Sequence, residues 1–262
     1  MRLSISNIAW DASTDINAFL LMRKNGFMGL EIAPTRIFPE TPYDNVKQAQ
    51  IWSDKLRAGF GFTIPSMQSI WYGRQEKIFA SSAEREILTD YTKKAIDFAS
   101  SIKCGNLVFG CPKNRNVPGE YCDEIAIRFF KEIGDYAASK GTTIGMEANP
   151  PIYNTNFLND TVTAIEFIDR VKSDGLKLNL DIGTVIQNQE DISEIAGKVS
   201  IISHVHISEP GLKPIEARKL HEKLRDILEQ ESYRGFVSVE MGRVDDLSVL
   251  DSTMKYVKGI FE

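Results

Sequence analysis

The chain has 262 residues, of which 42% are hydrophobic, 26% charged and 10% aromatic, with 18 Gly and 10 Pro. This composition excludes a disordered or low-complexity chain and supplies enough apolar side chains for a packed core. A balance of 31 Lys+Arg against 36 Asp+Glu gives a formal net charge of −5, which repels a polyphosphate unless a basic stripe compensates. The densest basic clusters, at 113–115 and 218–225, form no such stripe, so no nucleic-acid partner is expected. Cys104, Cys111 and Cys122 contain no CxxC pair and read as reduced thiols of a cytoplasmic protein. The first ten residues alternate like a strand rather than a leader. No run of roughly 18 apolar residues occurs, so no membrane association is expected.

Along the chain, short β-like runs alternate with longer amphipathic ones. Residues 3–9 read as a strand followed by a helix over 15–25, then 28–33 by 44–58, 63–69 by 83–101, and 106–110 by 120–140. The second half continues with 143–148 and 160–172, 177–181 and 191–198, 203–208 and 215–230, and 236–241 and 247–260. Asp15, Asp160 and Asp191 offer N-cap oxygens, while Gly26, Gly141 and Gly175 follow helical runs as stops. Strict βα alternation implies a parallel sheet, and eight units fit a closed α/β TIM barrel, (β/α)8, filling 1–262 as a single domain. The rival, an open doubly wound sheet, is usually signalled by a glycine-rich first turn. Residues 3–17 contain no glycine.

Successive strand residues face opposite sides, so in a barrel one register meets the helices and the other the interior. Ile144 and Met146 oppose Gly145 and Glu147; Leu178 and Leu180 oppose Asn179 and Asp181; Val205 and Ile207 oppose His204, His206 and Ser208; Val237 and Val239 oppose Ser238 and Glu240. The helix-facing register must be apolar, so Glu147, Asp181, His206 and Glu240 point inward near the carboxyl ends of their strands, where barrel enzymes build their sites. Three carboxylates buried together require a positive charge among them. One divalent cation held by those oxygens and the imidazole meets the need; the donor set favours Mn²⁺, Mg²⁺ or Co²⁺ and also suits Zn²⁺. A lone inward glutamate commonly belongs to a salt-bridged wall, whereas such groups on four consecutive strands point to a site.

Other inward or loop residues are weaker candidates. Glu31 and Gln68 have the parity to bond substrate hydroxyls, or to hydrogen-bond within the wall. Trp71 either packs on a sugar ring or caps the barrel. Arg115, in the only basic loop at the expected active face, either clamps a phosphate or carboxylate or belongs to a solvated loop. His204, deeper on its strand, reads as a core residue, and His221 as a structural residue of its helix.

The motifs "IGMEANP", "LNLDIGT", "HVHISE" and "GFVSVEM" together resemble the metal-binding tetrad of the xylose-isomerase-like TIM barrel family, the sugar phosphate isomerase/epimerase superfamily. That family includes ketose 3-epimerases, inosose dehydratases, hydroxypyruvate isomerases and, more distantly, endonuclease IV. The resemblance implies that Glu147, Asp181, His206 and Glu240 ligate one divalent metal, with Glu147 and Glu240 also acting as acid and base. Thr184 stands where the family's epimerases carry a histidine, and Glu209 opens a run in which they carry an arginine. Both positions belong to substrate handling, so the ketohexose assignment does not transfer. The expected activity is isomerisation or epimerisation of a small-molecule sugar or sugar derivative by proton abstraction beside a carbonyl, through a metal-stabilised enediolate. The alternatives are an inosose-type dehydratase and a sugar-binding barrel without catalysis. Many relatives pair, so a homodimer is expected. A Schiff-base lyase is disfavoured because Lys177 lies at the wrong end of its strand.

Overall fold

The computed structural model describes residues 1–119 and 123–262, which form eight parallel strands with helices between them. The strands are β1 (Arg2–Ser6), β2 (Gly29–Glu31), β3 (Ser66–Met67), β4 (Asn106–Phe109), β5 (Thr143–Glu147), β6 (Leu176–Asp181), β7 (Ile202–Ile207) and β8 (Phe236–Val239). Their hydrogen-bonded order is β2-β1-β8-β7-β6-β5-β4-β3. The ends of that sheet meet through Leu30 N–H to Thr63 O (2.9 Å), Ile32 N–H to Ser66 O (3.2 Å) and Gln68 N–H to Ile32 O (2.8 Å). The result is a (β/α)8 TIM barrel. β3 is shorter than the predicted 63–69 because Pro65 has no N–H to give to a ladder.

The surrounding helices are α1 (Asp15–Lys24), α2 (Pro34–Ile37), α3 (Val46–Phe60), α4 (Ser82–Ser101), α5 (Asp123–Ser139), α6 (Thr161–Val171), α7 (Ile182–Asn188), α8 (Lys219–Gln230) and α9 (Leu247–Phe261). The predicted start of the fifth helix run, at 120, and Cys122 lie outside the described residues. Asp160 caps α6 by accepting the Thr163 N–H at 2.8 Å. Asp15 does not cap α1: its carboxylate instead binds Trp10 Nε1 at 2.8 Å and Arg36 at 2.6 Å. The helix predicted over 191–198 is replaced by α7, which begins directly at the end of β6, and a short 3₁₀ turn (Ile192–Ile195). The cause is local: Asp181 accepts the Thr184 N–H at 2.9 Å and starts a helix as soon as the strand ends.

The outward register is buried against the helices: Ile144, Met146, Leu178, Leu180, Val205, Ile207, Val237 and Val239 are all essentially inaccessible. Each contributes about 1.5–3 kcal/mol of burial, and a one-residue slip would turn all of them inward, so the register is firmly held. The interior is tight and polar. A Cβ at Gly145 would lie 2.6 Å from Asn106 Oδ1, so only glycine leaves room there for the asparagines of neighbouring strands. Among the described residues, no helix is long and apolar enough to cross a membrane.

Candidate active site

The inward residues stack from the barrel floor towards the carboxyl ends of the strands. Deepest are two imidazoles of β7 that share one carboxylate of β2: His204 Nε2 lies 2.7 Å, and His206 Nε2 3.1 Å, from Glu31 Oε2. Gln68 Nε2 donates to Ser6 Oγ (2.7 Å) and to Glu31 Oε1 (3.3 Å). Burial works to raise the Glu31 carboxyl, but His206 and then His204 outweigh it and hold the group well below the usual carboxylate range. Burial lowers the pKa of His204.

Nearer the mouth, the other face of His206 meets the remaining acids. Its Nδ1 is 3.2 Å from Glu240 Oε2 and 3.7 Å from Glu147 Oε2. Ligand atoms of Asp181, His206 and Glu240 all lie within 4.8 Å of one another. The ladder register explains this convergence, because Glu147 pairs with Asn179, Asp181 with His206, and His206 with Ser238, two residues before Glu240. Burial, and then the charges of Glu240 and Asp181, push Glu147 up to about 8. Burial also raises Glu240, with His206 pulling the other way. Burial opposes a charge on His206, yet Glu240 and Glu31 outweigh it and hold the imidazolium well above its usual 6.5.

Neutral donors orient these acids. Asn149 Nδ2 donates to Glu147 Oε1 at 2.9 Å, and Asn179 Nδ2 to Glu147 Oε2 at 3.2 Å. Ser208 donates to Asp181 Oδ1 while accepting the Gly183 N–H at 2.7 Å. Above them opens a cavity of about 190 Å³, lined by Glu147, Asp181, Glu240, Gln68, Tyr153 and Glu209 among others. Three carboxylates against one imidazolium leave surplus negative charge, and in its absence of relief Glu147 is driven to hold a proton. The oxygen and nitrogen donors present fit a divalent cation at this point. A second compact group, Glu31 with His204 and His206, could also surround an ion, but its members already pair with one another.

Four candidates from the sequence occupy other roles. Glu31 lies beneath the cavity, fully occupied by the histidines and Gln68. Trp71 is buried in the wall, donating to Thr92 Oγ1 at 2.8 Å and packing edge-on against Phe109. Arg115 is wholly inaccessible: Nη1 donates to Glu147 O at 2.8 Å and Nη2 to Leu158 O at 3.5 Å. Its guanidinium therefore holds the β5 end in place instead of clamping a ligand. Burial lowers its pKa to about 10, with Glu147 opposing the shift. Thr184 is inaccessible too, its hydroxyl 2.8 Å from both Asp181 Oδ2 and Ala148 O, so it steadies Asp181 rather than reaching into the cavity. Glu209 lines the cavity but forms a two-pronged ion pair with Arg218, at 2.6 and 2.7 Å. His221 is buried on α8 with Nδ1 2.8 Å from Tyr256 Oη.

Asn149, Asn179, Ser208 and Tyr153 also belong to the site, beyond the residues expected from the sequence. Asn179 and Ser208 share the inward parity of the proposed ligands, and Asn149 continues that of Glu147, so the signal was present for three of them. Tyr153, whose hydroxyl accepts the Gly211 N–H at 2.9 Å, stands in a loop without periodicity.

Fold and site together define a (β/α)8 barrel with a buried carboxylate–imidazole centre at the carboxyl ends of its strands. The chain belongs to the xylose isomerase-like TIM barrel family, whose model matches residues 19–259. No curated protein matches it significantly. Among solved structures, the barrel is similar to a 3-keto-D-glucoside 4-epimerase from E. coli, with TM-score 0.76, 14% identity and 99% of each chain covered. It is similar to D-psicose 3-epimerase from Clostridium cellulolyticum H10, with TM-score 0.76, 16% identity and 100% of each chain covered. It also resembles an AP endonuclease, family 2, from Brucella melitensis, with TM-score 0.75, 21% identity and 97% of each chain covered.

Proposed function

We propose that this protein is a divalent-metal-dependent isomerase or epimerase of a sugar or sugar derivative, acting by proton transfer beside a carbonyl. The observation that carries the reading is the pair of buried acids Glu147 and Glu240, raised in pKa, both facing His206 Nδ1 at 3.7 and 3.2 Å and both lining one cavity. A divalent cation held by Glu147, Asp181, His206 and Glu240 would supply the positive charge that stabilises the oxyanion developing when a proton leaves the neighbouring carbon.

The chain's own groups do the rest. Glu147 or Glu240, ionised, takes the proton from carbon, and the other glutamate, protonated, returns one. Return to the other face of the same carbon inverts it, return to the adjacent carbon exchanges aldehyde and ketone, and loss of a β-hydroxyl gives dehydration. Burial suits both acids to the work, because a carboxyl raised towards neutral pH exchanges protons in either direction. Asn149 and Asn179 fix the Glu147 oxygens, and Thr184 with Ser208 fixes Asp181. Epimerase names among the structural neighbours support a sugar substrate. A phosphodiester substrate is disfavoured by the net charge of −5 and by a chain with only three histidines.

The test is solvent-deuterium incorporation into a panel of ketoses, aldoses and inososes with Mn²⁺ present. At least one sugar exchanges a carbon-bound hydrogen, and Glu147→Gln or Glu240→Gln abolishes that exchange while the protein stays folded. A panel that never exchanges, with the sugars still bound, supports a binding barrel instead.

A further inference from the structure

The cavity over Glu147 and Glu240 has a neighbour on the side of β3 and β4. A second cavity, of about 310 Å³, lies between the loops that follow these strands and shares Ser69, Cys111 and Pro112 with the first. At the junction Ser69 (φ 55°) and Cys111 (φ 45°) both hold left-handed backbone, a conformation that non-glycine residues adopt rarely and that tends to gather at sites. Two aromatic residues stand together in the second cavity, Trp71 packed into the wall and Tyr72 71% exposed. Lys113 also lines it and makes no ion pair among the described residues, whereas Arg74 beside it is tied to Glu76.

We propose that this second cavity is a subsite for another sugar ring, so that the substrate is a glycosidically extended sugar rather than a free monosaccharide. This rests on the sugar chemistry proposed above. The reacting ring lies over Glu147 and Glu240; the second ring sets its C–H face on Tyr72 and offers hydroxyl oxygens to the Lys113 ammonium. An aromatic ring with a polar tip and a cation free to donate three hydrogen bonds suit a polyhydroxylated ring. Contacts made so far from the reacting carbon hold the substrate in register for proton transfer.

The subsite is tested with protein carrying 5-fluorotryptophan, the Trp71 resonance being assigned through Trp71→Phe. The probes are fructose, the fructose disaccharides isomaltulose and lactulose, and fructose 6-phosphate, all titrated with Mn²⁺ present. Isomaltulose or lactulose moves the Trp71 signal and fructose does not. Tyr72→Ala and Lys113→Ala each weaken disaccharide binding about tenfold and leave fructose binding within about twofold, with thermal unfolding unchanged. A Trp71 signal indifferent to both disaccharides, or one moved only by fructose 6-phosphate, overturns the second-ring reading. Deuterium exchange on the same sugars judges the catalytic proposal separately: exchange of fructose together with a Trp71 signal that neither disaccharide moves leaves the catalysis standing and removes the subsite.

Discussion

Replacing Glu31 separates a residue that positions the site from one that merely fills the wall. Glu31 is wholly buried, with His204 Nε2 at 2.7 Å and His206 Nε2 at 3.1 Å. Removing one partner from a buried ion pair costs about 3–5 kcal/mol. Glu31→Ala strips away both charge and acceptor and falls in that range. Glu31→Gln keeps an oxygen for the His206 Nε2–H and loses only the charge, so its cost is smaller, about 1–3 kcal/mol. The second consequence reaches the mouth of the barrel. A carboxylate on Nε2 keeps the proton there and leaves the Nδ1 lone pair turned towards Glu147, Asp181 and Glu240. Losing that partner typically lowers metal affinity about 10–100-fold, which is about 1.4–2.7 kcal/mol. Urea unfolding of the metal-free variants measures the first effect, and calorimetric titration with Mn²⁺ the second. A Glu31→Gln variant that is destabilised yet binds Mn²⁺ as tightly as the parent refutes the positioning argument.

Two further outcomes follow from the same geometry. Arg115→Ala unfetters Glu147 O and Leu158 O and leaves a void, so it destabilises by about 3–5 kcal/mol in urea unfolding; a stable variant that has lost only ligand binding would restore the clamp reading. Glu147, raised from 4.5 to about 8, and His206, raised above 6.5, both bind protons more tightly folded than unfolded. Below pH 6.5 the lowered His204 and His221 oppose this trend, so metal-free protein loses stability as pH rises from 6.5 through about 8. A cation favours the ionised acids, so the gain in Tm on adding Mn²⁺ widens over that window, and a gain that shrinks with pH contradicts the assignment.

The barrel was legible because its outer register is apolar throughout: the period-2 pattern in Val205 and Ile207, or Val237 and Val239, identifies strand and face together. The same parity brought Glu147, Asp181, His206 and Glu240 to one end without any long-range information. What parity cannot show is who satisfies whom. Glu31 has the inward parity of a ligand-binding residue, but its partners lie on a strand more than 170 positions away. Trp71 and Arg115 stand in loops, where burial depends on Thr92, Leu158 and the β5 backbone. α7 escaped notice because Asp181 both ends a strand and caps a helix, so no loop signal separates the two elements.

Anomalous scattering from crystals grown with Mn²⁺ tests the four-ligand centre most directly. A single peak is expected, bounded by carboxylate oxygens of Glu147, Asp181 and Glu240 and by His206 Nδ1. A peak among Glu31, His204 and His206, or no peak at saturating Mn²⁺, would contradict it.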